Sequence, residues 1–243
     1  MMILPMKKIL AGLLMLAAVP VAHSQELWTS ADFSAGFGKK WEVGAEVEYR
    51  THDALKSTER VTIGLSGEYK QKYFKIDAGY KYIMSNTLEE ETRKGNIIPP
   101  YWIGRHRVYA SVTGKIKAGR FSLSLRERYQ YTHRLGKWVD KYEPDGETRK
   151  DDEWIAPKDK HILRSRLHCD YNIRKSKFEP FASIELYDNL SRQFSVEKVR
   201  YTIGSEYKIN KHNRVELFYR FVQGVEAGTD NQNVIGVGYT FRL

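Results

Sequence analysis

Apolar and polar residues alternate with a period of two along most of the chain, a spacing that puts one set of side chains on each face of a β-strand. In Gly119 to Arg134, "GRFSLSLRERYQYTHR", Phe121, Leu123, Leu125, Tyr129 and Tyr131 share one face, and Ser122, Ser124, Arg126, Arg128, Gln130 and Thr132 share the other. The same reading predicts strands in segments beginning near Trp41, Val61, Phe74, Arg105, Leu163, Phe178, Val199, Val215 and Ile235, and over the opening stretch Trp28 to Phe37. About eleven strands result, and no segment holds a helical period long enough to compete.

Between them, short basic connections (Gly38-Lys39-Lys40, Lys70 to Lys72, Ala118 to Arg120, Arg174 to Lys177, Asn210 to Asn213) alternate strictly with longer polar ones (Thr51 to Thr58, Ser85 to Gly104, His133 to Asp159, Asn189 to Val196, Gln223 to Asn231). In an up-and-down arrangement every short turn then falls at one end and every long loop at the other. Pro99-Pro100 and the acidic run "YEPDGETRKDDEW" argue against strands inside the long loops.

Alternation suits a secreted sandwich as well as a membrane barrel, and three features favour the barrel. The polar faces carry Arg and Glu at successive positions on many strands. The strands run to about ten residues, the length that crosses a bilayer when tilted, whereas sandwich strands are usually about five or six. Tyrosines recur near strand ends, at Tyr49, Tyr69, Tyr82, Tyr131, Tyr171, Tyr187, Tyr219 and Tyr239, as an interfacial girdle requires. In hydrocarbon only a closed sheet leaves no strand edge unpaired. The expected fold is therefore all-β: a closed antiparallel up-and-down transmembrane barrel of about 10–12 strands, with short periplasmic turns, long extracellular loops, apolar faces toward lipid and charged faces inward.

The N-terminus reads as a secretory signal peptide over residues 1–24. Lys7 and Lys8 precede the apolar run Ile9 to Val21, and Ala22-His23-Ser24 offers small residues at the cleavage positions. Residues 25–243 then form one barrel domain in the outer membrane. Removing two lysines and no acids from the formal +10 leaves +8 for that domain, which suits anionic lipid headgroups or small anions better than nucleic acid, which an exported chain rarely meets. Cys169 is the single cysteine, so no internal disulfide forms; in a strand it reads as a small apolar filler.

The stretches "WTSADFSAGFGKKWEVGAEVEYR", "RHRVYASVTGKIKAGRFSLSLRERYQY", "KVRYTIGSEYKINKHNRVELFYRF" and "NVIGVGYTFRL" resemble DUF2490, a Bacteroidota-type family of outer-membrane proteins of unknown function. The resemblance implies an outer-membrane location and brings no catalytic or ligand residues with it. Bacterial barrels normally close with an even strand number. Residues 25–37 accordingly either hide two short strands, giving twelve, or stay outside the wall, giving ten; twelve is preferred.

The most distinctive chemistry is the inward charge. Arg126, Arg128, Arg164 and Arg166 fall on adjacent inward faces with Arg105 and Arg107 beside them, and Glu185, Glu206 and Glu216 are available partners. Two readings follow: a cross-strand ion-pair network that plugs a narrow lumen, or an arginine-lined path for phosphates or acidic sugars. Glu127 falls on the lipid side, where a position near an interface would let it snorkel. The histidines (His52, His106, His133, His161, His168, His212) are accompanied by no HExxH or GxSxG motif, and Asp145, Asp151, Asp152 and Glu153 lack EF-hand spacing. The expectation is a non-enzymatic barrel without cofactor or metal, structural or passing small solutes, with outer-membrane lipid and small anions as partners. The alternatives are a barrel enzyme acting on lipid or surface polymer and a surface-binding protein using loop 133–159.

Overall fold

The computed structural model describes residues 25–52, 56–192, 194–226 and 231–243; the expected signal peptide lies outside them. In chain order the strands are β1 (Gln25–Phe37), β2 (Trp41–His52), β3 (Ser57–Lys70), β4 (Phe74–Asn86), β5 (Glu90–Glu91), β6 (Ile97–Ile98), β7 (Trp102–Ala118), β8 (Phe121–Arg134), β9 (Lys137–Tyr142), β10 (Arg149–Ile155), β11 (Lys158–Tyr171), β12 (Phe178–Asn189), β13 (Ser195–Lys208), β14 (Asn213–Gly224) and β15 (Gln232–Arg242). Eleven of them close a barrel in the order β1-β15-β14-β13-β12-β11-β8-β7-β4-β3-β2, and the other four form a small sheet, β10-β9-β6-β5, in the long loops.

Alternation becomes sidedness. Phe121, Leu123, Leu125 and Tyr129 stand exposed on the outside of β8 while Ser122, Ser124, Arg126 and Arg128 between them are half-buried in the lumen. Exposed apolar side chains on neighbouring strands, among them Val43 and Val47, Ile63 and Leu65, Val108 and Val112, continue this outer surface around the wall. A soluble protein would not leave so wide an apolar surface in water.

Aromatic pairs edge the surface at both ends. Toward the short turns, Trp41 meets Tyr69 (centroids 4.7 Å apart), Phe121 meets Tyr171 (4.9 Å) and Phe178 meets Tyr207 (4.8 Å). Toward the long loops, Tyr82 meets His106 (5.2 Å) and Tyr131 meets His161 (5.0 Å). Tyr131 lies ten positions beyond Phe121 along β8, which matches the roughly 9–11 residues that a tilted strand spends in hydrocarbon. One girdle assignment fails. Tyr187 faces inward and is buried, because it shares its face with Glu185.

Closure differs from expectation. The opening stretch is neither two strands nor outside the wall but one strand of 13 residues. It pairs antiparallel with β2 and parallel with β15, from Gln25 opposite Asn233 to Ser34 opposite Arg242. A parallel seam permits an odd strand number, since both seam strands run from the long-loop end to the short-turn end. Its hydrogen bonds are evenly spaced and slanted, and somewhat weaker per residue than antiparallel ones.

The long loops also hold strands where none was expected. The acidic run folds as hairpin β9–β10 around Pro144-Asp145-Gly146, with Gly146 at φ 73°. Asp145 accepts hydrogen bonds from the backbone N–H groups of Thr148 and Glu147 and from the Thr148 hydroxyl (2.9, 2.9 and 2.7 Å), which hold its carboxyl below the usual range. Across the hairpin, Lys141 pairs with Glu153 at 2.7 Å and Trp138 lies against Trp154 with centroids 5.3 Å apart. Cross-strand pairing thus offsets the poor strand propensity of the charges. Ile98, Tyr101, Ile103 and Val139 form a small core that ties this sheet to the rim at β7.

Two departures test the lipid-facing surface. Cys169 sits between Leu123 and Ala182, in keeping with an apolar filler. Glu127 lies between the two girdles rather than at either of them, and it accepts the Ser165 hydroxyl at 2.6 Å, one outward polar side chain satisfying another.

In a Cys169→Ala background, Leu123→Cys should react with a lipid-restricted thiol probe and resist a water-soluble one, and Ser124→Cys should do the reverse. Uptake of the lipid probe at Ser124→Cys instead would invert the faces.

Candidate functional site: the charged lumen

Inside the barrel the residues that alternation turned inward meet across strands. Arg126 and Arg128 on β8 stand directly opposite Arg166 and Arg164 on β11 in register, so four guanidiniums share one patch of wall. Such a patch needs acids or counter-ions, because arginine stays charged in any protein environment.

Two carboxylates organise it. Glu185 on β12 accepts Arg126 Nη2 at 2.5 Å, Arg164 Nη2 at 3.0 Å and the Tyr187 hydroxyl at 3.0 Å, and Tyr187 in turn accepts from Arg200. Asp77 on β4 accepts Arg128 Nη2 at 2.9 Å and the Ser111 hydroxyl at 3.2 Å, while Arg128 Nε donates to Ser111 at 2.7 Å. Arg128 also stacks 4.0 Å from the ring centre of Tyr109. Tyr109 reaches its place over Gly79, where a Cβ would stand 2.6 Å from the tyrosine hydroxyl. A glycine in mid-strand is there for that approach.

Further ion pairs line the short-turn half: Lys81 with Glu46, Lys75 with Glu68 (2.6 Å), and Glu42 with both Lys70 and Arg242 (2.6 Å each). They surround a cavity of about 270 Å³ whose lining includes Asp32, Glu46, Asp77, Thr113, Arg126 and Arg166.

The long-loop half is more basic. An apolar layer of Trp28, Val222 and Val234, with Phe218 packed against it, fills the lumen beside β1, β14 and β15. Guanidiniums crowd the Trp28 ring, Arg50 at 3.5 Å and Arg200 and Arg220 at 5.0 Å each, a geometry that cation–π attraction favours. Arg50 pairs with Glu48 at 2.7 Å. By contrast, among the described residues no carboxylate lies within ion-pair distance of Arg105, Arg107, Arg166, Arg200 or Arg220. Among these residues Arg107 Nε has only the Thr132 hydroxyl (3.0 Å), Arg220 Nε only the Thr202 hydroxyl (2.9 Å), and the buried Nε atoms of Arg105, Arg166 and Arg200 have no partner.

The structure thus brings together four of the six arginines singled out by pattern, Arg126, Arg128, Arg164 and Arg166, and gives two of them, Arg126 and Arg164, to Glu185; Arg105 and Arg107 lie farther toward the long loops, opposite Arg134 and Thr132 on β8. Glu206 and Glu216 do not join them. They stand opposite each other on β13 and β14, and Glu206 pairs with Arg214 at 3.2 Å. Arg50, Arg60, Arg200, Arg220 and Asp32 also face the lumen; each falls on the polar face of its own strand's alternation, the signal that identifies them. The histidines are dispersed: His106 bonds Tyr80, His133 bonds Asp159, His161 bonds Tyr129 and His168 bonds Asp170, each at 2.7 Å. Among the described residues no three His, Cys, Asp or Glu side chains gather as a metal site.

A tube of strands with an apolar, aromatic-edged outside and a charged inside is a transmembrane β-barrel of the outer-membrane kind. The chain belongs to the DUF2490 family, described as a protein of unknown function, which matches residues 25–233. Among solved structures it is similar to the β domain of the Bordetella autotransporter Brka, with a TM-score of 0.54 and 12% identity over 83% of this chain and 82% of that one. It is also similar to the NanC porin, with a TM-score of 0.49 and 15% identity over 91% of this chain and 100% of that one. The first likeness concerns the fold alone. Comparison with curated proteins returned no match.

Glu185→Gln strips the carboxylate from two confined guanidiniums and should cost about 3 kcal/mol in reversible urea unfolding. Glu206→Gln, whose partner Arg214 is well exposed, should cost under about 1 kcal/mol. Equal effects would contradict the assignment of Glu185 as the hub.

Proposed function

We propose that the mature barrel, exported by the 1–24 segment, resides in the outer membrane as a restricted, non-catalytic conduit for small anionic solutes. The observation that carries this reading is the set of arginines without carboxylates: Arg105, Arg107, Arg166, Arg200 and Arg220. A guanidinium held in a narrow polar tube keeps its charge and lacks bulk water to screen it, so it draws anions from solution and repels cations. A barrel of eleven strands has a small interior, and here ion pairs and the Trp28 layer narrow it further. Passage is therefore limited to small solutes that exchange one guanidinium partner for the next.

A second reading is supported by the Trp28, Val222 and Val234 layer: a sealed barrel in which the charge network serves stability alone. Conductance separates the two. In planar bilayers under a salt gradient, the purified protein should give small single-channel currents whose reversal potential reports anion preference. Arg107→Gln combined with Arg220→Gln should shift that potential toward zero. Cation preference would overturn the proposal, and absence of current would favour the sealed barrel.

A further inference from the structure

The cavity in the short-turn half of the lumen is lined by ten charged side chains, and eight of them are satisfied by the ion pairs described above. The two left over have opposite signs. Among the described residues Asp32 on β1 has only the Ser30 hydroxyl, at a long 3.4 Å, and no cation within ion-pair distance. Among the same residues Arg166 on β11 has no carboxylate within that distance, and its buried Nε has no partner. In the ring of eleven strands β1 and β11 are five steps apart one way round and six the other. Asp32 and Arg166 therefore stand on opposite walls with the cavity between them, too far apart to neutralise each other. Between these walls Thr113, only 6% exposed, lines the same space.

We infer that this cavity is a binding site for a small zwitterion, a solute carrying an ammonium group for Asp32 and an acid group for Arg166. A plain anion would satisfy Arg166 and leave Asp32 facing it, and a plain cation would do the converse. Only a solute with both charges meets both walls. The volume, about 270 Å³, falls just below the range of drug-sized pockets, about 300–1,000 Å³, which limits the ligand to a short backbone between its two charges. Arg126 and Arg164 share the single carboxylate of Glu185, which leaves the wall around Arg166 net positive and so orients the solute with its acid group toward β8 and β11. The inference rests on the lumen admitting solutes and names the class that the cavity selects.

The test uses the purified barrel in detergent micelles at pH 8, titrated calorimetrically with ω-aminocarboxylates from 4-aminobutyrate to 8-aminooctanoate. The matching carboxylates and alkylamines serve as single-charge controls. At least one chain length should bind about tenfold tighter than both of its controls. Asp32→Asn should bring that zwitterion down to the affinity of its carboxylate control, and Arg166→Gln should bring it down to that of its amine control. A carboxylate that binds wild-type protein as tightly as the zwitterion overturns the inference and leaves the anion path standing, as does a series in which nothing binds. Cation preference in the bilayer measurement would instead remove the conduit reading itself. The comparison on wild-type protein decides the matter even if either variant fails to fold.

Discussion

In hydrocarbon no water meets a free peptide group, so a sheet that crosses a membrane must leave no edge unpaired. Nearly every feature of this barrel follows from that constraint. Closing the sheet divides the side chains into an outer and an inner set, and the period of two assigns each residue to one of them. The outer set meets lipid and is apolar; the inner set meets a narrow aqueous space and is free to be charged. Closure also fixes the seam. With eleven strands, the first and last can meet only in parallel, and the chain accepts somewhat weaker hydrogen bonds at β1–β15 in exchange for having no edge.

The interior then poses an electrostatic problem that the sequence solves in two ways. In the short-turn half, acids on β2, β3 and β4 meet cations close by, and the pairs surround a cavity. In the long-loop half, arginines outnumber nearby acids, and aromatic faces take some of the load, Trp28 under three guanidiniums and Tyr187 under Arg164 and Arg200. Full neutralisation would have made an inert plug. The arginines left without carboxylates are what give the lumen a sign, and the mismatch between Asp32 and Arg166 is what gives the cavity a preference.

Much of this was legible in the sequence because the governing signal is local. Whether Leu123 faces lipid or Arg126 faces the lumen depends on parity within a single strand, and parity survives without knowledge of the neighbours. The same signal was available for Asp32, Arg50 and Arg220. Their importance stayed hidden because it depends on which strands meet across the barrel, and that is set by closure and register. Tyr187 shows parity outranking residue type: a tyrosine near a strand end resembles a girdle residue, yet it shares its face with Glu185. Glu206 and Glu216 show the reverse limit, since correct inward parity did not reveal that their neighbours across the strands would be each other. The hairpin in the acidic loop was missed for a related reason. Lys141 and Glu153 would be poor strand formers singly, and only their pairing across the turn makes a ladder of them.

The parallel seam is where the account is most exposed, because an even-numbered barrel would have to place β1 differently. Ala31 and Tyr239 are in register across it on the lipid-facing side. In the Cys169→Ala background, Ala31→Cys with Tyr239→Cys should form a disulfide under mild oxidation in reconstituted vesicles, seen as a shift in electrophoretic mobility without reductant. Pairing Ala31→Cys with Ile235→Cys, displaced by four residues along the same strand, should not. Cross-linking of the displaced pair, or of neither pair, would contradict an eleven-stranded barrel closed between β1 and β15.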